Sequence, residues 1–339
     1  MRRHVSSLIA AALALAACNA LGWPTPTPTP FSLHGPGGLP TFAPATQRIR
    51  LPMGFIPSVQ YAPFYVAVDK GYFAAEGMEI EFDYSFETNG VALVGANQLP
   101  FAVVSGEQVL LARAQGLPVV YAMAWFQKFP VAVIAKADSG ITAPADLTGK
   151  KIGTPSLDGA NFVGLRALLA QAGVKPEDVT VEVIGFNQVP ALTAGQVDAV
   201  VVYANNEPIR LAAQGEKLNT IPVGDFVSLA ANGLLTNEET MTKEPELVRG
   251  FVRALSKGIA ETIANPDEAY AISKKFVTEL KDDAVEKQVL AATIEMWKTD
   301  RIGYSDPAAW ETMQATLLDT GLLSAELDLS KAYTNAFVP

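Results

Sequence analysis

Histidine and cysteine are almost missing from this chain. Its two histidines, His4 and His34, and its one cysteine, Cys18, all precede residue 48. Whatever the remainder does, it does without the commonest general base, the commonest transition-metal ligand and the thiol nucleophile. A lone cysteine also excludes an intramolecular disulfide. Carboxylate-only catalysis stays open, but no paired Asp/Glu motif stands out. Neither a GxxxxGK[ST] stretch nor a GxGxxG after a strand pattern is present, so nucleotide-binding loops have no support. Basic residues are outnumbered, 25 against 35 acidic, and no Lys/Arg run offers a track for a phosphate backbone. Nucleic acid is therefore not an expected partner, and no cofactor or metal is expected.

What is present begins with Arg2 and Arg3 ahead of an apolar run, Val5 to Ala17, too short to span a bilayer comfortably. Residues 1–17 read as a signal peptide and imply export. The run closes on Leu15-Ala16-Ala17-Cys18, which resembles a bacterial lipobox, in which the cysteine becomes the lipid-bearing N-terminus; a plain signal peptide with an incidental cysteine is the alternative. Pro-Thr repeats and a Gly/Pro-rich stretch follow, so 18–47 reads as an extended tether. It would keep a binding domain near the membrane and raise its effective concentration there.

The rest of the chain, 48–339, is long enough for one large domain or two ordinary ones, and an apolar fraction of 49% supplies a sizeable core. Arg48 to Phe55 alternates like a strand that Pro57 stops. From 61 to 76, Phe64, Tyr65, Val68, Tyr72 and Phe73 recur at near-helical spacing, and Gly77 offers a left-handed stop before a second alternating run. Strand patterns at 78–84, 101–104, 118–124, 131–137, 150–154, 180–186, 198–203, 218–223 and 228–236 interleave with helical ones at 90–97, 107–115, 161–172, 187–195 and 205–214. Such alternation predicts an α/β fold with mostly parallel sheets. After Asn237 the patterns at 239–264, 267–277, 282–297 and 307–323 are all helical, with Pro266 and Pro307 near first turns.

The segments Ala62-Pro63-Phe64-Tyr65-Val66-Ala67, Lys70-Gly71-Tyr72-Phe73 and Glu76-Gly77 resemble the signature of bacterial solute-binding proteins of ABC importers. Within that family the likeness is to the branch binding thiamine-precursor pyrimidine, riboflavin, nitrate and sulfonate. It extends through Gly185 to Leu192, Gly195 to Ala199 and Pro245 to Arg249, as far as Tyr333-Thr334-Asn335. The resemblance implies the periplasmic-binding-protein type II fold, two Rossmann-like lobes joined by two crossover strands. Lobe 1 would be 48–137 plus 232–339 and lobe 2 138–231. It further implies an extracytoplasmic, lipid-anchored protein whose partners are a small-molecule ligand and the permease and ATPase subunits of an importer.

If that geometry holds, ligand contacts come from loops just after strands, since open α/β sheets bind ligands beyond the carboxyl ends of their strands. The first lobe then offers Ser58 and Tyr61, next Asn89, then Ser105, then Trp125 and Gln127. The second offers Asn161 and Phe162, followed by Tyr203, Asn206 and Glu207. Flat aromatics beside amides and a carboxylate suit a planar, hydrogen-bonding heterocycle. Each has a plainer alternative. Trp125 and Tyr61 can fill core, Glu207 can answer a helix dipole, and Asn161 or Asp158 can cap a helix. Phe226, Trp297, Tyr304 and Trp310 read as packing residues.

Pyrimidine-binding relatives carry W-x-P-N-x-x-H at the first loop, where this chain has Phe55-Ile56-Pro57-Ser58-Val59-Gln60-Tyr61. Exchanging His for Tyr trades a polar contact for a stacking face and favours a larger flat ligand. Riboflavin fits, with its ring for Tyr61 and Trp125 and its ribityl hydroxyls for the polar loops. The thiamine-precursor pyrimidine is the alternative. Nitrate and sulfonate fit less well, because those loops offer almost no cationic donors. A related pyrimidine-synthase enzyme would need an active-site His and a Cys-rich motif, and a sensory ectodomain is the remaining class.

Overall fold

The computed structural model describes residues 46–280 and 282–339. The expected signal peptide, Cys18 and nearly all of the expected tether lie outside the described residues. In chain order the elements are β1 (Gln47–Gly54), α1 (Ala62–Asp69), α2 (Tyr72–Ala75), β2 (Met78–Phe86), α3 (Glu87–Gly95), β3 (Ala102–Val104), α4 (Gly106–Ala114) and β4 (Val119–Ala124). They continue with β5 (Val131–Lys136), β6 (Lys151–Thr154), α5 (Gly159–Gln171), β7 (Thr180–Val183), α6 (Gln188–Thr193), β8 (Ala199–Tyr203), α7 (Glu207–Ala213) and β9 (Leu218–Pro222). The last stretch is β10 (Gly233–Asn237) followed by α8 (Glu238–Lys243), α9 (Pro245–Ala264), α10 (Pro266–Phe276), α11 (Asp283–Trp297) and α12 (Pro307–Asp319).

These strands form a two-stranded sheet β1-β2, a three-stranded sheet β3-β10-β4 and a five-stranded sheet in the order β7-β6-β8-β5-β9. The pairs β1–β2, β6–β7 and β6–β8 are parallel. The expectation of mostly parallel sheets is corrected by two strands. β5 runs against β8 and β9, and β10 runs against β3 and β4. Both follow a passage of the chain from one sheet to another, between Ala124 and Val131 and between Pro222 and Gly233, so each enters from the opposite end. Apolar alternation carries no direction, which is why the sequence pattern missed this.

The helix expected over 61–76 is broken. Gly71 takes φ 73°, a left-handed conformation open to glycine at little steric cost, and α2 restarts at Tyr72. Both pieces still bury the same side, since Phe64, Tyr65 and Phe73 are all fully buried. Pro245, Pro266 and Pro307 occupy first-turn positions of α9, α10 and α12, where a missing N–H costs nothing. Pro245 also separates α8 from α9, so the single helix expected over 239–264 is two.

α9 is the strongly amphipathic element and packs its apolar stripe against α1 and α2. Phe251 meets Phe73 at 4.8 Å and Phe101 at 4.5 Å between ring centres. Gly258 lets α9 approach α1 closely, because a β-carbon there would lie 2.2 Å from the Pro63 carbonyl oxygen. Lys70 ties the same face, reaching Glu261 at 2.6 Å and Glu268 at 2.7 Å. Trp297 and Trp310 are fully buried, as packing residues should be. Trp310 stacks on Tyr333 at 5.0 Å, and its Nε1 donates to Ser305 Oγ at 2.7 Å. Phe226, expected to pack, is exposed instead, at the end of a short turn beyond β9. Among the described residues no helix is long and apolar enough to cross a membrane.

Candidate functional site

A cleft lies between the ends of β1, β2, β4 and the start of α4 on one side, and the turns after β6, β7 and β8 on the other. It holds about 800 Å³ of atom-free space, its open mouth included, within the range of small-molecule sites. Six residues singled out in the sequence line it together: Tyr61, Trp125, Asn161, Tyr203, Asn206 and Glu207. The other five do not. Ser58 caps the turn before α1, accepting from the Gln60 backbone N–H at 3.2 Å, and borders a neighbouring groove. Asn89 is exposed on α3, and Phe162 faces Arg166. Gln127 is anchored through its backbone N–H, which donates to Met296 O at 2.9 Å. Ser105 is fully buried just behind the wall.

The aromatic arrangement departs from the sequence expectation. Tyr61 and Trp125 stack on one another, 5.2 Å apart and 16° from parallel, and so present one composite wall instead of a slot for a ring between them. Tyr61 is locked there by donating its hydroxyl to Met53 O at 2.6 Å. At the mouth, Phe186 from the turn after β7 meets Phe55 edge-on at 4.7 Å and stacks on Phe86 at 5.3 Å. Phe86 is half exposed there. The three rings bring the two sides of the cleft into direct contact.

The polar wall centres on Glu87, the first residue of α3, where the chain passes from β2 into the helix without a loop. Glu87 Oε1 accepts from Asn232 Nδ2 at 3.2 Å, and Asn232 Oδ1 in turn accepts from the Tyr203 hydroxyl at 3.1 Å. Glu87 Oε2 accepts from the Ser105 backbone N–H at 3.1 Å and from Ser105 Oγ at 2.6 Å. The same Oγ is hydrogen-bonded to Glu107 Oε1, and Glu107 is fully buried. Burial pushes the Glu107 carboxyl up to about 8, with the charge of Glu87 adding to it. Burial likewise raises Glu87 to about 7, against the opposing hydrogen bonds from Ser105.

Opposite, Glu207 opens α7. Its Oε2 accepts from the Tyr203 backbone N–H at 3.0 Å and its Oε1 from Asn206 Nδ2 at 2.9 Å, and burial raises its carboxyl above the usual range. Asn206 Oδ1 also accepts from Arg210 Nε at 2.8 Å. The Arg210 guanidinium forks onto both Glu286 oxygens, at 2.7 and 3.0 Å, tying α7 to α11. The cavity wall is therefore linked to the C-terminal helices through three consecutive side chains.

Three buried N–H donors lining the cleft have no partner among the described residues: Gln108 Nε2 and Trp125 Nε1 on the first side and Asn161 Nδ2 on the second. Buried donors are nearly always paired, so these three stand out as open to acceptor atoms. Sequence reasoning missed Glu87, Gln108, Asn232 and the three phenylalanines of the mouth. Glu87 stands next to Thr88 and Asn89, in the right stretch. Only the immediate start of α3, which turns its first side chain inward, separates it from them. No group of three or more His, Cys, Asp or Glu placed to hold a metal occurs among the described residues.

The profile of the family described as "NMT1/THI5 like" matches residues 58–269. The riboflavin-binding protein RibY of Chloroflexus aurantiacus is 41% identical over 96% of this chain and 95% of its own. The formylaminopyrimidine-binding protein of Halalkalibacterium halodurans is 28% identical over 79% of this chain and 83% of its own. Among solved structures, the alkanesulfonate-binding protein SsuA of Xanthomonas axonopodis pv. citri superposes with a TM-score of 0.68 at 17% identity, covering 86% of this chain and 99% of that one. The chain thus has the periplasmic-binding-protein fold and belongs to the NMT1/THI5-like family.

Proposed function

We propose that this chain is the solute-binding component of an ABC importer, anchored outside the cytoplasm by lipid on Cys18, and that it captures riboflavin and releases it unchanged. The observation that carries this reading is the pairing of orphaned donors with flat walls. Gln108, Trp125 and Asn161 offer free N–H groups beside the Tyr61–Trp125 stack and the Phe55–Phe186 pair. A wide ring bearing carbonyls and ring nitrogens satisfies both features at once. Glu207 and Asn206 suit the hydroxyls of a ribityl chain. The 41% identity to a riboflavin-binding protein supports the same reading.

On this reading the five-stranded sheet belongs to lobe 2 and the other sheets to lobe 1; because β5 is a strand of the five-stranded sheet, the boundary expected after 137 moves back to the passage between Ala124 and Val131. The passages into β5 and β10 are then the two crossovers about which the lobes open and close. Among the described residues the cavity walls contain no His or Cys, and that favours capture over turnover. Fluorescence titration tests the proposal: riboflavin emission is expected to quench on binding with one site per chain. Unquenched emission at micromolar protein, with binding of an aminopyrimidine in its place, would replace riboflavin by the pyrimidine. That second reading is favoured by the 28% identical formylaminopyrimidine-binding relative.

A further inference from the structure

Ser105 Oγ stands within hydrogen-bonding distance of a carboxylate oxygen of Glu87 and of one of Glu107. A hydroxyl owns one proton and can donate to only one of them, so the other contact needs a proton from a carboxyl. The surrounding donors decide which carboxyl holds it. Glu87 accepts from the Ser105 N–H and from Asn232 Nδ2, both of which favour the ionised form, whereas Glu107 Oε2 is buried with no donor at all. The order is therefore Glu107 O–H to Ser105 Oγ, and Ser105 O–H to Glu87. Of the two, Glu87 ionises first, so above about pH 7 it is an acceptor-only group on the cavity wall while Glu107 holds its proton behind it up to about 8.

Glu207 is also an acceptor, but both of its oxygens are taken by donors of its own turn, the Tyr203 backbone N–H and Asn206 Nδ2, with no second carboxyl relayed to it. The cleft thus presents Glu87 as an acceptor, with the free N–H groups of Gln108 and Trp125 on its own side and that of Asn161 across from it. Gln108 lies at the seam, its Nε2 4.0 Å from where a β-carbon on Gly159 would stand, at the start of the facing helix α5. An acceptor with donors around it is complementary to a ligand edge with one N–H flanked by carbonyls.

We propose that Glu87 is the specificity-determining residue of this cleft and that it recognises a cyclic imide, accepting the ring N–H while the free wall donors take the flanking carbonyls. The assignment rests on the flavin reading above and deepens it, because the pyrimidinedione ring of a flavin presents such an edge. A 4-aminopyrimidine presents a donor next to an acceptor instead and leaves the pattern unmatched. An N-alkylated imide keeps the ring and both carbonyls but loses the one proton that Glu87 accepts.

The test compares riboflavin with N3-methylriboflavin on the full folded chain and on Glu87→Gln, by calorimetry. The wild type is expected to bind the methylated flavin at least about tenfold more weakly, the usual consequence of stranding a buried charged acceptor. Glu87→Gln is expected to weaken riboflavin about tenfold and leave N3-methylriboflavin unaltered, closing the gap. Equal affinities in the wild type would overturn the imide assignment while leaving the flavin reading intact. A gap that persists in Glu87→Gln, or closes only in Glu207→Gln, would remove Glu87 from the role. Failure of both flavins to bind would overturn the flavin reading and this inference together. Should Glu87→Gln fail to fold, the nitrogen-15 NMR spectrum of labelled riboflavin on the wild type decides. A downfield, exchange-protected N3–H is expected, and one exchanging as in free flavin contradicts the assignment.

Discussion

Tyr61 and Trp125 lie face to face at 5.2 Å, and the Tyr61 hydroxyl is spent on the Met53 carbonyl. The pair has two jobs that mutation can separate. Tyr61→Phe keeps the stack and strands a buried carbonyl, so it is expected to cost about 1–2 kcal/mol of stability with riboflavin affinity changed less than about threefold. Trp125→Phe keeps a ring and deletes the unpaired Nε1–H on the cavity wall, so it is expected to weaken the ligand roughly tenfold. Denaturant melts paired with calorimetry check both.

Phe186 closes the mouth against Phe55 and Phe86 from the other side of the cleft. Phe186→Ala removes both contacts while touching none of the hydrogen-bonding groups within. The ligand is expected to leave on the order of tenfold faster, with a smaller effect on its association, since interface changes act mainly on dissociation. Stopped-flow recovery of flavin fluorescence after dilution measures both rates.

The buried carboxyls make a pH prediction whose sign follows from their shifts. Glu87 and Glu107 are raised from 4.5 to about 7 and about 8, so the folded chain holds more protons than the unfolded one across that interval. Their contribution to stability is complete below about pH 4.5 and is lost as pH rises through about 7 to 8. The groups facing the pair are Asp158, Tyr61 and Tyr203 around Glu87, and Tyr121 beside Glu107. The tyrosines are themselves raised by burial and stay neutral there. Surface carboxylates held low, such as Glu76 beside Arg253, act in the opposite sense, below 4.5 and weakly. Melting temperature is therefore expected to fall between about pH 5 and 8 and to level off above, and Glu107→Gln to flatten that fall.

Gly258 sets the spacing of α9 and α1. A methyl group there must displace the Pro63 carbonyl, so Gly258→Ala is expected to destabilise by roughly 1–3 kcal/mol even though alanine is the better helix former. A urea melt of the variant checks the direction. A gain in stability would show that the two helices can slide apart at no cost.

Strand and helix positions were legible because apolar periodicity is local: the pattern over 199–203 is five apolar or aromatic residues, and β8 occupies it. Direction was not legible, because β5 and β10 are reversed by where the chain changes sheets, a non-local event. The site was half legible for a related reason. Trp125, Tyr203 and Glu207 follow strands directly and do line the cleft, whereas Asn89 was expected in a loop and sits on the outer face of a helix that begins earlier, at Glu87. Ser105 was placed correctly beyond β3, but its hydroxyl serves two carboxyls that no spacing rule connects, one of them carried by another helix. Asn232, a polar residue inside the apolar run 227–235, was the overlooked signal for the approach to β10.

The most direct test is a calorimetric titration of the folded chain with riboflavin and, separately, with hydroxymethyl-aminopyrimidine. The account predicts saturable one-to-one binding of riboflavin at micromolar or lower concentration and much weaker heat from the pyrimidine. Binding of the pyrimidine with none of riboflavin would contradict it.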